Sequence, residues 1–482
     1  MVPFIKTILL WSEGKIIYTI IVNPYSTQDT IIALSTPYGM GAIAMIRMSG
    51  PESIALTNRF FESKFGKKDL TQMDSHTVHL GYIHDGNQPI DEVLVSIFKN
   101  PNSYTGEDLV EISCHGSTYI QHSILQHFVA NGVRPAEAGE FTMRAFLNGK
   151  MDLSQTEAVA DLIHAQSEAA KNVALKQLKG GFSNELSEVK KQLIHFASLI
   201  ELELDFAEED VEFADRKQLE DLVQKTIVHV EQLAKSFQWG NAIKNGINTT
   251  IVGRPNAGKS TLLNTLLNEE RAIVTEIAGT TRDTLEETIH IKGFLFRFID
   301  TAGLRETEDI VEKIGVAKAL EKLHQSDLFI YLFDANITTL DGLKDDIQNL
   351  PTHIPHLIVG NKSDLISLEK KSEITVIDKE IVLISAQLKE DIEILKDKLL
   401  EKLALHKIDT SATIITNARH YDALLQVKVS LIEVLRGLKE GMSGDLLSID
   451  LRQALYHLGS ITGEITSDDI LGNVFANFCI GK

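Results

Sequence analysis

Residues 253–260 read Gly253-Arg254-Pro255-Asn256-Ala257-Gly258-Lys259-Ser260, and that string confines the chain around it to very few folds. In such a glycine-rich turn the backbone N–H groups converge on phosphate oxygens, Lys259 reaches the β- and γ-oxygens, and the Ser260 hydroxyl is placed for Mg²⁺. Apolar Ile251-Val252 runs into the turn and Thr261-Leu262-Leu263-Asn264 opens a helical pattern after it, so the loop joins a strand to a helix. By itself this motif implies only a nucleoside triphosphate. Asn361-Lys362-Ser363-Asp364 chooses the base, because a carboxylate at Asp364 can accept from N1–H and the exocyclic amine of guanine, a donor pair that adenine lacks. Gly279-Thr280-Thr281-Arg282-Asp283 and Asp300-Thr301-Ala302-Gly303 lie between the two, and Ser385-Ala386-Gln387 follows. Five motifs in this order predict a GTPase.

Strand-like runs at Phe294–Ile299, Leu328–Phe333, Leu357–Val359 and Ile381–Ile384, with helical stretches between the later ones, predict a parallel sheet covered on both faces. Its ligand is expected beyond the carboxyl ends of the strands, where the motifs fall. Asp300 is expected to end the Phe294–Ile299 strand as a Mg²⁺-linked aspartate, and Asn361 to follow Leu357–Val359 where it can meet the base.

At 482 residues the chain is too long for one ordinary core. Its two cysteines, Cys114 and Cys479, lie far apart and neither has a CxxC partner, which argues against a zinc site or disulfide framework and for a reducing cytoplasm. A formal net charge of −20 argues against a broad basic face for nucleic acid, leaving that role to a local patch or a more basic partner. Residues 1–28 read as an atypical extension: charges interrupt the apolar clusters, no stretch is long enough to span a bilayer, and no cleavage signature follows.

From Thr30 to Lys150 short β-rich runs (Ile31–Leu34, Ala42–Arg47, Val78–Ile83, Glu92–Phe98, Leu109–Ser113) and a helix near Tyr119–Asn131 predict a separate α+β domain. Ser154 with Glu157 reads as a capping box opening a helical section. Leu186, Val189, Leu193, Phe196, Ile200 and Leu204 then mark an amphipathic helix, and Leu219, Leu222, Val223, Ile227, Val230 and Leu233 mark another. Glu208-Glu209-Asp210 reads as a solvated helix end. Helical periodicity returns through Ala423, Leu424, Val427, Leu431 and Val434. The expected fold class is multidomain α/β. An N-terminal α+β domain (29–150) precedes a helical domain (151–245 and 405–482), into which a Ras-like doubly wound α/β GTPase domain (246–404) is inserted.

From Asp29 to Lys482 the chain resembles the MnmE (TrmE) family of tRNA-modification GTPases. Beyond the nucleotide motifs, the likeness rests on Thr36-Pro37-Tyr38-Gly39 through Arg47-Met48-Ser49-Gly50 and on Pro101-Asn102-Ser103-Tyr104-Thr105-Gly106-Glu107-Asp108. It extends to Gly139-Glu140-Phe141-Thr142-Met143-Arg144-Ala145-Phe146-Leu147-Asn148 and to the terminal Phe478-Cys479-Ile480-Gly481-Lys482. The resemblance implies GTP contacts from Asn256-Ala257-Gly258-Lys259-Ser260-Thr261 and from Thr275-Glu276-Ile277-Ala278-Gly279-Thr280-Thr281. It implies further contacts from Asp300-Thr301-Ala302-Gly303, Asn361-Lys362-Ser363-Asp364 and Ser385-Ala386-Gln387. Ser260 and Thr281 would ligate Mg²⁺, and Asn256, Thr275, Ile277 and Thr280 would hold K⁺. Leu304 stands where Ras-like GTPases carry the glutamine that orients the attacking water. The family's substitute would be Glu312, which the residues alone would read as a solvated helix carboxylate, with K⁺ supplying charge stabilisation.

The same resemblance implies that the N-terminal domain binds a reduced folate, a 5-formyl-tetrahydrofolate-like one-carbon donor, through Arg47, Glu111, Lys150 and Lys482. Cations suit the folate carboxylates and Glu111 suits the pterin donors, although each residue alone reads as an ordinary surface charge. Cys114 beside His115 is expected to be a small buried strand cysteine, whereas Cys479 is the candidate catalytic thiol, with a buried apolar anchor as its alternative. The implied activity is K⁺-stimulated GTP hydrolysis in tRNA modification. With an FAD-dependent partner in a heterotetramer, the protein would add a carboxymethylaminomethyl-type group to C5 of the wobble uridine of certain tRNAs. A homodimer through the N-terminal domains and a cytoplasmic location are also implied. The alternatives are a ribosome-assembly GTPase acting as a binding switch, and a regulatory GTPase with a structural helical domain. Neither requires a folate.

Overall fold

The computed structural model describes residues 29–86, 88–205, 215–270, 287–299, 326–403, 413–466, 468–476 and 478–481, with the backbone of 7–12 and 15–20. In the extension, β1 (Thr7–Ser12) and β2 (Lys15–Ile20) form an antiparallel two-stranded ribbon that pairs with no other strand among the described residues. The chain divides into two compact units, residues 1–160, 177–219 and 430–482 in the first, and 161–176 and 220–429 in the second.

The first unit holds a seven-stranded sheet made of β3 (Ile31–Leu34), β4 (Ile43–Ser49), β5 (Phe61–Ser63), β6 (Thr77–His84), β7 (Pro89–Phe98), β8 (Leu109–His115) and β9 (Arg134–Pro135). Their order is β5-β6-β7-β8-β4-β3-β9, antiparallel except for β3 with β9. Alternation sorts the two faces: Val93, Val95 and Ile97 of β7 are buried with Ile46, Met48, Val110 and Ile112, while Leu94 points to solvent. Ile54, on the Ser53–Phe60 helix, and Ile124 and Phe128, on the Thr118–Ala130 helix, close that core. The expected strands are all present, and β7 begins at Pro89 rather than Glu92.

The helix expected after Lys150 is Leu153–His164, but its cap differs from the expected Ser154–Glu157 box. Asp152 accepts from the Gln155 N–H (2.8 Å) and from the Ser154 hydroxyl (2.9 Å), while Gln155 Oε1 accepts from the Asp152 N–H (2.9 Å). The reciprocal box is Asp152–Gln155, two residues earlier, because an ionised carboxylate is a stronger acceptor for helix-end donors than a hydroxyl. The amphipathic helices are Gly181–Asp205, burying Leu186, Leu193 and Ile200, and Arg216–Asn245, burying Leu219, Val223, Val230 and Leu233. Glu208-Glu209-Asp210 lies outside the described residues.

In the second unit β10 (Ile247–Val252), β11 (Glu287–Ile291), β12 (Phe294–Phe298), β13 (Leu328–Asp334), β14 (His356–Asn361) and β15 (Val382–Leu383) form a six-stranded sheet ordered β11-β12-β10-β13-β14-β15. All neighbours are parallel except β11 with β12. On β13, Leu328, Ile330 and Leu332 pack with Leu262, Leu266, Leu395 and Leu399, while Phe329, Tyr331 and Phe333 pack with Leu343 and Ile374. One strand thus feeds two cores, one under the Lys259–Glu270 and Ile392–Lys402 helices and the other under Leu340–Gln348 and Leu368–Ile377. That is the doubly wound arrangement, and it explains why β13 is buried throughout. The antiparallel edge strand β11 was not expected. Its signals are local: Ile289 and Ile291 alternate with polar residues, and Lys292 (φ 47°) and Gly293 (φ 87°) make the positive-φ hairpin turn into β12. Among the described residues no helix is long and apolar enough to cross a membrane.

Candidate functional site

The phosphate loop leaves the carboxyl end of β10 and enters the Lys259–Glu270 helix, so the helix N–H groups and dipole face any bound phosphate. Gly258 has φ +92°, and a Cβ there would stand 2.2 Å from Asn361 Nδ2, so no larger residue fits. Lys259 donates to the carbonyls of Gly253 (2.9 Å) and Arg254 (3.0 Å), and burial pushes its pKa down. A phosphate there would compensate the buried ammonium better than two neutral carbonyls.

Asn361, buried at the end of β14, ties three motifs together. Its Nδ2 donates to Ala257 O (2.9 Å) in the phosphate loop, and its Oδ1 accepts from Ala386 N–H (3.0 Å). Ala386 O in turn accepts from the Thr265 hydroxyl (2.8 Å), and Ser363 N–H donates to Ile384 O (3.0 Å). Asn361 therefore has both ends of its amide engaged within the protein, while Asp364 and Gln387 are exposed at the rim. Thr265, which the sequence did not single out, holds the Ser385-Ala386-Gln387 loop from the helix after the phosphate loop. Ser260, Thr261 and Asn256 (φ 61°) are exposed at the mouth of the loop. Thr275 through Thr281, Asp300 through Gly303 and Glu312 lie outside the described residues.

A second constellation lies in the first unit. Register sets Arg47 of β4 directly opposite Glu111 of β8, and the guanidinium donates to Glu111 Oε1 from Nε (3.0 Å) and Nη2 (2.7 Å). The guanidinium lies 5.1 Å from the Tyr104 ring centroid and 5.7 Å from that of Phe141. The chain's last described residues run alongside. Gly481 O accepts from Arg47 Nη1 (3.4 Å) and from the Ser35 hydroxyl (3.2 Å), and Ile480 bridges to Ala138. Gly481 has φ +97°, and a Cβ there would be 2.2 Å from Leu34 O, so the tail takes this seat only as glycine. Phe475 and Phe478 anchor it among Met143, Phe146 and Leu153. Cys479 is exposed beside this seat. Lys150 donates to Pro101 O (3.0 Å), on the same 101–108 turn that carries Tyr104. Lys482 lies outside the described residues.

That turn is set from beneath by an ionic cluster. Arg144, 1% exposed, meets Asp29 (2.6 Å), Glu140 (3.0 Å) and Glu107 (3.2 Å), and Arg134 joins through Asp29 and Glu140. Burial raises the Glu107 carboxyl pKa despite Arg144. At Glu140 burial acts in the same direction, but Arg134, the Glu137 N–H and Arg144 outweigh it and the pKa falls. Cys114 is the buried strand cysteine expected: its thiol contacts Ala44 O (3.6 Å), and burial, then Asp91, push it up to about 11.

A family model described as the MnmE helical domain matches residues 153–479, and one described as the GTP-binding protein TrmE N-terminus matches residues 30–150. Among the relatives is the tRNA modification GTPase MnmE of Flavobacterium psychrophilum, 55% identical over 460 residues, covering 94% of this chain and 99% of that protein. The protein of the same name from Bacteroides fragilis is 47% identical over 464 residues, covering 94% and 100%. Among solved structures, Aquifex aeolicus Era bound to GDP and aluminium fluoride is 27% identical, covering 39% of this chain and 67% of that chain, with a TM-score of 0.26. With near-complete coverage on both sides of the first two comparisons, the chain belongs to the MnmE family.

Proposed function

We propose that the protein is a GTP-hydrolysing tRNA modification enzyme. With an FAD-dependent partner in a heterotetramer, it adds a carboxymethylaminomethyl-type group to C5 of the wobble uridine of certain tRNAs. The reading takes the chain as the homodimeric, cytoplasmic, three-part protein that its family resemblance implies, with the GTPase domain at 246–404. GTP sits on the phosphate loop and the Asn361–Asp364 motif, with Ser260 and Thr281 holding Mg²⁺ and Asn256, Thr275, Ile277 and Thr280 holding K⁺. A K⁺ ion held by these residues would supply positive charge to the phosphate site. Glu312 acts on the attacking water, a role that Leu304 has no polar atom to fill.

The reduced folate belongs with Arg47, Glu111, Lys150 and Lys482, and Cys479 is the reactive thiol. The observation that carries this half is the seat of the tail, where the Gly481 carbonyl meets the same guanidinium that grips Glu111. Within that seat Arg47 orients Glu111 toward the pterin donors, and the Tyr104 and Phe141 rings limit where the guanidinium can move. Isothermal calorimetry with 5-formyl-tetrahydrofolate is the test. Binding should be measurable for the full chain and lost in Glu111→Ala, and no heat with the full chain would remove the folate. Equal single-turnover GTP hydrolysis in K⁺ and Na⁺ would remove the cation.

A further inference from the structure

Asp334 ends β13, and its carboxylate is buried, its side chain 6% exposed. A carboxylate out of water is costly unless charge and hydrogen bonds compensate it. Here Oδ2 lies 2.6 Å from Lys362 Nζ, and Oδ1 accepts from Asn336 N–H at 2.9 Å. The Lys362 ammonium has a second bond, to the carbonyl of Asn256 in the phosphate loop, at 3.1 Å. Lys362 holds φ +62° and Asn256 φ +61°, both left-handed conformations that non-glycine residues adopt at a cost and that surrounding contacts must maintain. Backbone pairing sets the carboxylate beside its target, since β13 and β14 put Asp334 opposite Asn361 and Ala335 N–H donates to Asn361 O (2.9 Å).

We propose that Asp334 is a positioning residue of the nucleotide site: its buried carboxylate fixes the Lys362 ammonium against the Asn256 carbonyl, so that base motif and phosphate loop are set as one piece before nucleotide arrives. The inference rests on reading Asn361–Asp364 as the guanine motif. An ion pair of purely structural use would stabilise the second unit without coupling to the ligand. A positioning pair is coupled to affinity, because Lys362 loses its direction when the carboxylate is neutralised.

The test is a double-mutant cycle on the full chain with Asp334→Asn, Lys362→Met and both together, reading Kd for fluorescent GDP and GTP analogues and the melting temperature. Asp334→Asn should weaken both nucleotides equally, about tenfold, the scale of one hydrogen bond to a charged group. The double variant should match Lys362→Met within about twofold. Additive losses in the cycle, or unchanged Kd in a folded Asp334→Asn protein, overturn the inference. If Asp334→Asn does not fold, Asp334→Glu replaces it, and any loss it causes should vanish in the Lys362→Met background. Asp364→Asn in the same assay separates the two readings. If it weakens GTP while the cycle is additive, only the positioning role of Asp334 fails; if it leaves GTP affinity intact, both fail.

Discussion

In the parallel sheet of the second unit, the phosphate loop, Asp334 and Asn361 all emerge at strand carboxyl ends, and apart from the Asp334–Lys362 pair each bond joins a motif side chain to a loop backbone atom. The antiparallel sheet of the first unit works differently. Arg47 and Glu111 sit in mid-strand, their pairing depends on the β4–β8 register, and the carbonyl that joins them comes from Gly481, 434 residues along the chain from Arg47. The first arrangement is a loop grammar that any sheet of this topology can support. The second is an assembly of side chains that exists only once the sheet and the tail have both formed. A phosphate site can therefore be specified by a short contiguous string, whereas a site of the second kind is specified by long-range packing.

The difference can be broken most forcefully at Arg144. Replacing it with alanine leaves Asp29 and Glu140 with Arg134 but takes the arginine from half-buried Glu107, and should destabilise the first unit by about 3–5 kcal/mol, the cost of breaking a buried charge pair on one side. Denaturant unfolding reads the loss, and nucleotide affinity measured below the transition should not change. A loss of under about 1 kcal/mol would mean that water, and not the arginine, compensates these carboxylates.

In the second unit the corresponding change is Asp364→Asn. It should weaken GTP binding by about 2–5 kcal/mol, because one side of a charged hydrogen-bond pair is lost, while the unfolding midpoint stays put for an exposed residue. Unchanged affinity would take Asp364 out of the base pocket. A change that collapses the first unit without touching the nucleotide, set beside one that weakens the nucleotide without touching stability, would sharpen the contrast between the two plans.

The smallest effect is chemical. At pH 8 a thiol reagent should alkylate exposed Cys479 in the native protein and leave Cys114 unmodified, since burial keeps that thiol protonated up to about 11. Both should react in denaturant. Native labelling of Cys114, detected by peptide mass analysis, would show that the β4–β8 region opens readily.

The nucleotide half was legible because its information is local. Glycines, a lysine and a hydroxyl must follow one another at fixed spacing for a backbone loop to wrap a phosphate, and the strand–loop–helix order around them can be read from apolar runs. The five-residue edge strand β11 escaped because so short an alternation is ambiguous without its partner β12. The helix cap at Asp152 was missed in favour of Ser154 because both residue types favour the position, and only geometry tells which carries the helix-end donors. By itself, then, the sequence determined the nucleotide motifs, the apolar runs whose ends present them, and which of its cysteines packs in a strand. Tertiary structure decided that Asp334 reaches Lys362 and Lys362 reaches Asn256, that Arg47 faces Glu111, and that the tail is seated beside them at Gly481. The physical reason is range. A turn is specified by the conformational limits of its own residues, but a buried ion pair or a docked tail is specified by strand register and by the space that the rest of the chain leaves open.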